Sequence, residues 1–254
     1  MGYFYGPVAS RRLGKSLGLD LFSEKTCSFD CVYCQLGRSK TRYSQRVSRV
    51  NLIKLKKELA QIISKKPRID FITFSGSGEP TLHENLDQII KAIKKVSGNK
   101  YRLCLITNSS LLYRKKVREE LKGFDLIVPS LDAVDAKTFR KINHPLKGVS
   151  LTKIIQGLIK LRKEFKGEIW LEVMLVRGIN DSLSQAKKLK KIIAKIKPDK
   201  VQLNLPVRPG KRKFKLTDPE RLAQIKRVIG KDIEIVSDYY DGKKEFKASG
   251  ARIR

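Results

Sequence analysis

Two periodicities alternate along this chain. From Leu52 to Ser64 the apolar positions Leu52, Leu55, Leu59, Ile62 and Ile63 recur at helical intervals, and Pro67 closes the segment. The next apolar run, Asp70 to Phe74, is short, continuous and β-branched, which predicts a parallel strand buried on both faces. The exchange then repeats. Helix is predicted over Glu84–Val96, Asp135–Ile142, Leu151–Phe165 and Ser184–Ile196. Strand is predicted over Tyr101–Thr107, Phe124–Leu131, Glu168–Val176 and Lys200–Leu205. Ahead of these, Leu17–Leu21 reads as a first short strand behind a glycine-rich basic lead-in. Behind them, Thr217-Asp218-Pro219-Glu220 predicts a helix start with Thr217 as its cap, and Ile233–Val236 a last strand.

About six such alternations, at crossover spacing, predict an α/β fold. Right-handed crossovers curl the sheet one way, towards an open, partial (β/α)6 barrel over residues 1–210. Residues 211–254 then form a short α/β extension with a basic tail carrying Lys243, Lys244, Lys247, Arg252 and Arg254. Ligands in such folds sit at the C-terminal ends of the strands. Along Glu168–Val176, Trp170, Glu172, Met174 and Val176 share one face. If Glu172 points into the barrel, its charge needs a partner. That partner is either a cofactor or substrate group, or a Lys or Arg in the lumen.

Length, charge and cysteine usage narrow the class. A chain of 254 residues has room for one such barrel. It contains no run of eighteen apolar residues, so no membrane span is expected, and its first residues lack the pattern of a signal peptide. Lys and Arg number 56 against 25 acidic residues, a net charge of +31. Ion-pair networks need both signs, so a polyanionic partner, nucleic acid first, is the simplest reading beside a merely Lys-rich surface. With two histidines, a His-rich metal site is not expected; His83 reads as solvent-facing and His144, before Pro145, as a loop contact for RNA or substrate.

Cys27, Cys31 and Cys34 make a C-x3-C-x2-C spacing within eight residues. Thiolates so close can converge on zinc, Cu(I) or an iron–sulfur centre. Structural zinc normally takes four protein ligands. A 4Fe–4S cluster held by three cysteines keeps one iron open for a small molecule. The fourth cysteine, Cys104, lies in a predicted strand and reads as a buried, inert thiol. The absence of a disulfide framework fits a reducing cytoplasm.

This spacing, with Tyr33 just before the last cysteine, resembles the radical S-adenosylmethionine (SAM) superfamily. The resemblance implies a partial barrel of the radical SAM type. It also implies a 4Fe–4S cluster on Cys27, Cys31 and Cys34 and reductive cleavage of SAM to a 5′-deoxyadenosyl radical. An electron donor of flavodoxin or ferredoxin type goes with it. Ser77-Gly78-Glu79-Pro80 resembles the superfamily's G-G-E-P motif, which holds the SAM amino group, with Ser77 in place of the first glycine. By the same resemblance Asn108 faces SAM (or caps the following helix), Ser130 and Asp132 meet its ribose, and backbone near Pro206 meets its adenine. Tyr33 and Arg177 join this cofactor-binding set.

The stretch Gly6–Gly37 is similar to one branch, the wyosine-forming tRNA enzymes, through G-P-x-x-S-R-R-L-G-x-S-L-G and C-V-Y-C-Q-L-G. There Arg11 and Arg12 are either solvated in a loop or contact phosphate or the cofactor carboxylate; with Glu172 they are the candidate substrate contacts. The branch implies RNA as the substrate, as tRNA is for its wyosine-forming members. The wyosine-forming enzymes carry extra N-terminal cysteines that this chain lacks, which points to a shorter relative acting on another RNA or on a small molecule. The alternatives are a glycyl-radical activating enzyme acting on a protein, and a non-catalytic basic RNA-binding protein with a structural metal.

Overall fold

The computed structural model describes residues 2–37, 43, 45–207, 216–230 and 232–236. The basic tail, and most of the segment between Pro206 and Thr217, lie outside the described residues. Eight strands hydrogen-bond in chain order into one sheet. They are β1 (Phe4–Ser10), β2 (Gly14–Leu19), β3 (Phe71–Phe74), β4 (Arg102–Thr107), β5 (Leu126–Pro129), β6 (Glu168–Met174), β7 (Lys200–Asn204) and β8 (Ile233–Ile235). β1 pairs antiparallel with β2, and every later pairing is parallel. The strands β2 to β7 are the six of a partial barrel, and β8 extends the curl.

Helices make each parallel crossover: α1 (Leu52–Ser64), α2 (Leu86–Ser97), α3 (Lys115–Glu120), α4 (Ala136–Asn143), α5 (Leu151–Glu164), α6 (Leu183–Ile196) and α7 (Pro219–Ile229). Their starts are written in the sequence. Asn51, Asp135, Ser150 and Ser182 each accept a backbone N–H three residues on, satisfying a donor the helix cannot. At α7 the cap is Asp218, which accepts from Arg221 N with Pro219 in the first helical position. The expected cap, Thr217, instead donates to Asp181 Oδ2 at 3.1 Å.

Alternation along the strands divides two cores. Ile72, Phe74, Leu103, Leu105, Ile127 and Leu171 face the helices. Phe71, Cys104, Leu126 and Val128 face the lumen, where Leu13 joins them to fill its lower part. Burying each such side chain contributes about 1.5–3 kcal/mol. Burial also pushes the Cys104 thiol up to about 12, as an inert thiol requires.

The lead-in is not a loop. It forms the β1–β2 hairpin, whose second strand starts at Gly14 rather than Leu17. Three glycines and a proline mask it in the sequence. Gly18 leaves room for the ring of Tyr5 on the partner strand, where a Cβ would collide with it.

His83 is 2% exposed, not solvent-facing. Its Nε2 accepts from Arg49 N at 3.1 Å, while Nδ1–H donates to Glu84 O. Segment 46–49 is thereby stitched to the turn after β3, helped by Arg46, whose Nε donates to Thr81 O at 3.0 Å while NH1 reaches Glu120 Oε1 of α3 at 2.9 Å. Burial lowers the His83 pKa from 6.5. Below that pH the unfolded chain takes a proton that the folded one refuses. Stability is therefore complete above pH 6.5 and declines as the pH falls beneath it. Melting temperatures from pH 8 to 5.5 are expected to show this decline, and His83→Gln, which keeps an acceptor, to flatten it.

Candidate active site at the strand ends

The cysteine loop follows β2 and is tied down on two sides. Thr26 N donates to Ser77 O at 3.0 Å and Glu79 N to Thr26 O at 2.8 Å, so the loop pairs with the turn after β3. On the other side Asp30 N and Val32 N donate to Asn143 O and Ile142 O, the free carbonyls at the end of α4. Phe29 packs edge-on against Phe139 of that helix, with centroids 5.5 Å apart. The three cysteines form no disulfide and are partly buried. Polar hydrogens are aimed at sulfur. Phe29 N and Asn108 Nδ2 both lie 3.4 Å from Cys27 Sγ, and Asn143 Nδ2 lies 3.4 Å from Cys31 Sγ. Burial first, and Glu79 next, push the Cys27 thiol up to about 12; burial and Asp132 raise Cys31 as well.

After β3 the turn Ser75–Gly78 is pinned by Asp20, which accepts from Ser77 N at 2.9 Å and from Ser77 Oγ at 2.5 Å. Gly76 has φ +111°, and a Cβ there would meet Asp20. Glu79 is 2% exposed. Its Oε1 accepts from Thr81 N, Thr81 Oγ1 and Thr107 Oγ1, and its Oε2 from Asn108 N at 2.6 Å. Burial raises its pKa, and these bonds oppose the rise. Pro80 starts a single 3-10 turn behind it.

Tyr33, Asn108, Ser130, Asp132 and Asn143 line one cavity with Phe29. Asp132 accepts from Tyr33 Oη, from Asn143 Nδ2 at 2.7 Å and from Met174 N at 2.9 Å. Burial still pushes its carboxyl up to about 6. Asn108 reaches the cysteine loop through Cys27 and Ser28, and its Oδ1 accepts from Ser110 N; it does not cap α3, whose cap position is Arg114. Pro206 is buried just beyond β7. Arg177 stands apart: it is half exposed and turned to Asp218, 3.7 Å away, at the start of α7.

Glu172 lies beside Ser130 in the sheet and points into the lumen. Its partner there is Arg12, from the tip of the β1–β2 hairpin, so the lumen salt bridge is what forms. Arg11 donates to Val236 O at 2.9 Å, just after β8. The pair of arginines thus spans from the first edge of the sheet to the last. His144 has left-handed backbone at the end of α4.

Residue spacing alone did not point to Asp20, Asn143 or Asn180. Asn180 Nδ2 donates to Asp132 O at 2.7 Å and Met174 O at 2.8 Å, locking the ends of β5 and β6 together. Single polar residues in turns carry no periodicity; only their position just beyond a strand or helix end marks them.

Among the described residues, no three His, Cys, Asp or Glu side chains converge closely enough to enclose a single metal ion. A cube of four irons spreads its thiolates wider than one ion does. The N–H groups aimed at Cys27 and Cys31 are the donors that clustered thiolates require. The donor set therefore fits an iron–sulfur cluster.

The family model of the radical SAM superfamily matches residues 25–189. The chain is 36% identical over 248 residues to a UPF0026 protein from Methanocaldococcus jannaschii, covering 97% of this chain and 74% of that one. It is 41% identical over 235 residues to a protein named GTPase Obg from Brachyspira hyodysenteriae, but spans 34% of that protein's length and 92% of its own. A probable dual-specificity RNA methyltransferase RlmN from Thermotoga sp. is 27% identical over 213 residues, 80% of this chain and 58% of that one. The fold aligns with a radical SAM methyltransferase from Sphaerobacter thermophilus at TM-score 0.64 and 13% identity, covering 87% of this chain and 64% of the other. It aligns with SuiB from Streptococcus suis bound to S-adenosylmethionine at TM-score 0.58 and 19% identity, covering 82% and 45%.

The chain belongs to the radical SAM superfamily and, within it, to the UPF0026 family. Membership of that superfamily makes SAM-dependent chemistry, on a 4Fe–4S cluster with SAM, the class of the matched domain. Among the described residues no helix is long and apolar enough to cross a membrane.

Proposed function

We propose that this enzyme modifies RNA, with a tRNA of the wyosine type or a related RNA as substrate. The observation that carries the reading is the charge, 56 basic residues against 25 acidic. The excess is spread over exposed helix faces, such as those bearing Lys56, Lys57, Lys95, Lys187 and Lys190. A surface of that kind suits a phosphate backbone. The name of the RlmN relative, an RNA methyltransferase, supports the same class of substrate.

When bound, the cluster supplies the electron that opens SAM to a hydrogen-abstracting radical. The chain's own residues would do the rest. Cys27, Cys31 and Cys34 hold the cluster; Phe29 N, Asn108 and Asn143 direct hydrogen bonds at sulfur, which set its potential. The turn Ser77–Pro80 cradles the amino acid end of SAM, with Glu79 as acceptor. Asp132 and Ser130 take the ribose, Tyr33 and the backbone at Pro206 border the purine, and the packed loop excludes water. A flavodoxin- or ferredoxin-like donor in the cytoplasm would supply the electron.

The test is anaerobic. The reduced protein is incubated with RNA from cells lacking it, and nucleosides are compared by mass spectrometry. A new modified nucleoside, formed with 5′-deoxyadenosine, is expected. RNA affinity should fall with salt at a log–log slope of about −0.7 to −0.9 per phosphate neutralised. Negligible RNA binding at low salt would remove the reading.

A further inference from the structure

The lumen has two halves of opposite character. Its lower half is apolar, filled by Leu13, Phe71, Cys104, Leu126 and Val128. Above it, on the β6–β7 side, lies a polar layer of Glu172, Gln202 and Asn204, joined by Arg12. Glu172 pairs with Gln202 in register and bridges to Ser130. Met174, the register partner of Asn204, donates its N–H to Asp132. The layer is therefore at the height of the candidate ribose site and one strand to its side.

For stability alone the layer is a poor choice. An ion pair sunk in a cavity gains little over apolar filling of the same volume, and the apolar solution is already used below it. One atom is also unsatisfied. Asn204 is 4% exposed, and its Nδ2 donates to Glu172 Oε2 at 3.3 Å, which fixes which way the amide faces. Among the described residues no donor reaches its Oδ1. A buried carbonyl oxygen without a donor is uncommon and unfavourable. Gln202 shows the contrast: its Nε2 donates to Glu234 at 2.6 Å and its Oε1 faces Arg12 at 3.5 Å. Arg12 bonds through one terminal nitrogen, NH1, to both Glu172 and Gln202. Its guanidinium has further donors in the same plane.

We propose that Arg12, Glu172 and Asn204 form the substrate-recognition layer, and that it takes the planar edge of a nucleobase. The layer offers a donor fork beside an acceptor. A phosphate presents acceptors alone and would leave Asn204 Oδ1 unmet. An ammonium or guanidinium presents donors alone and would face Arg12. A base edge sets a carbonyl or ring nitrogen next to an N–H and meets both. Arg12, carried on a hairpin tip while its partners are carried on strands, is the member that shifts to admit it. This deepens the proposed RNA function, on which it rests for the source of the base.

The test uses the anaerobic protein with cluster and SAM in place, and equilibrium dialysis with small probes. Guanosine, cytidine and uridine carry such an edge; purine riboside lacks an N–H on its base, and guanidinium and inorganic phosphate are the one-sided controls. At least one of the three nucleosides is expected to bind better than purine riboside and both ions. Asn204→Leu and the milder Asn204→Ser should weaken that binding by at least about tenfold, with iron content and SAM affinity unchanged. The melting temperature of Asn204→Leu should not fall, which separates a recognition role from a structural one. If no nucleoside binds, if guanidinium or phosphate alone binds, or if both variants bind as the parent does, the proposal is overturned. The outcomes also part from the RNA reading. RNA binding that survives with base binding indifferent to Asn204 removes the layer alone. Base binding that depends on Asn204 without RNA binding removes the RNA alone.

Discussion

Gly78→Ala is expected to strip the enzyme of SAM binding while leaving the barrel folded. The physical reason is one oxygen. A Cβ at Gly78 would lie far inside contact distance of Thr26 O, the backbone atom that receives Glu79 N, and 2.9 Å from the ring of Phe22. Backbone cannot swing aside as the end of a side chain can. The turn and the cysteine loop must part, breaking the Thr26–Ser77 and Glu79–Thr26 bonds. Overpacking of this kind costs about 1–3 kcal/mol of stability. The functional loss should be larger, because the displaced pieces are the ones expected to hold cluster and cofactor together. Equilibrium dialysis with labelled SAM should show affinity reduced by at least about a hundredfold, and the far-ultraviolet spectrum should be retained. Full SAM affinity in this variant would show that the two loops do not act as one unit.

Cys31→Ala is expected to abolish SAM cleavage, with iron content and the brown absorption falling to background. Cys27→Ala and Cys34→Ala should do the same. Cys104→Ala is the control: its sulfur is in the apolar half of the lumen, so the cluster should load normally at a stability loss of about 1 kcal/mol. Iron and sulfide analysis with electron paramagnetic resonance of the reduced samples decides the matter. A Cys31→Ala protein with its full complement of iron would take the site away from this loop.

Much of this fold is legible in the sequence. Continuous β-branched runs such as Ile72–Phe74 and Leu126–Val128 can only be central strands, and amphipathic spacing such as that of Leu55 and Leu59 demands a sheet to cover it. Strands β3 to β7 and helices α1, α2, α4, α5 and α6 follow within a few residues, whereas the six-residue α3 is too short to show a periodicity. The cysteine spacing and Ser77–Pro80 were legible because chemistry, not packing, chooses those residues. The hairpin was not, since Gly6, Gly14 and Gly18 carry no side-chain pattern although Gly18 is paired against Tyr5. His83 was misread because a buried imidazole and an exposed one look alike in a sequence; only the fold brings Arg49 N to it. The pairing of Arg12 with Glu172 spans 160 positions, and no local rule reports it.

The plug of Leu13, Phe71, Cys104, Leu126 and Val128 has a consequence for traffic. Among the described residues the cup is stoppered at its base. Spent cofactor and finished product are therefore expected to leave past the strand ends, the way they came in.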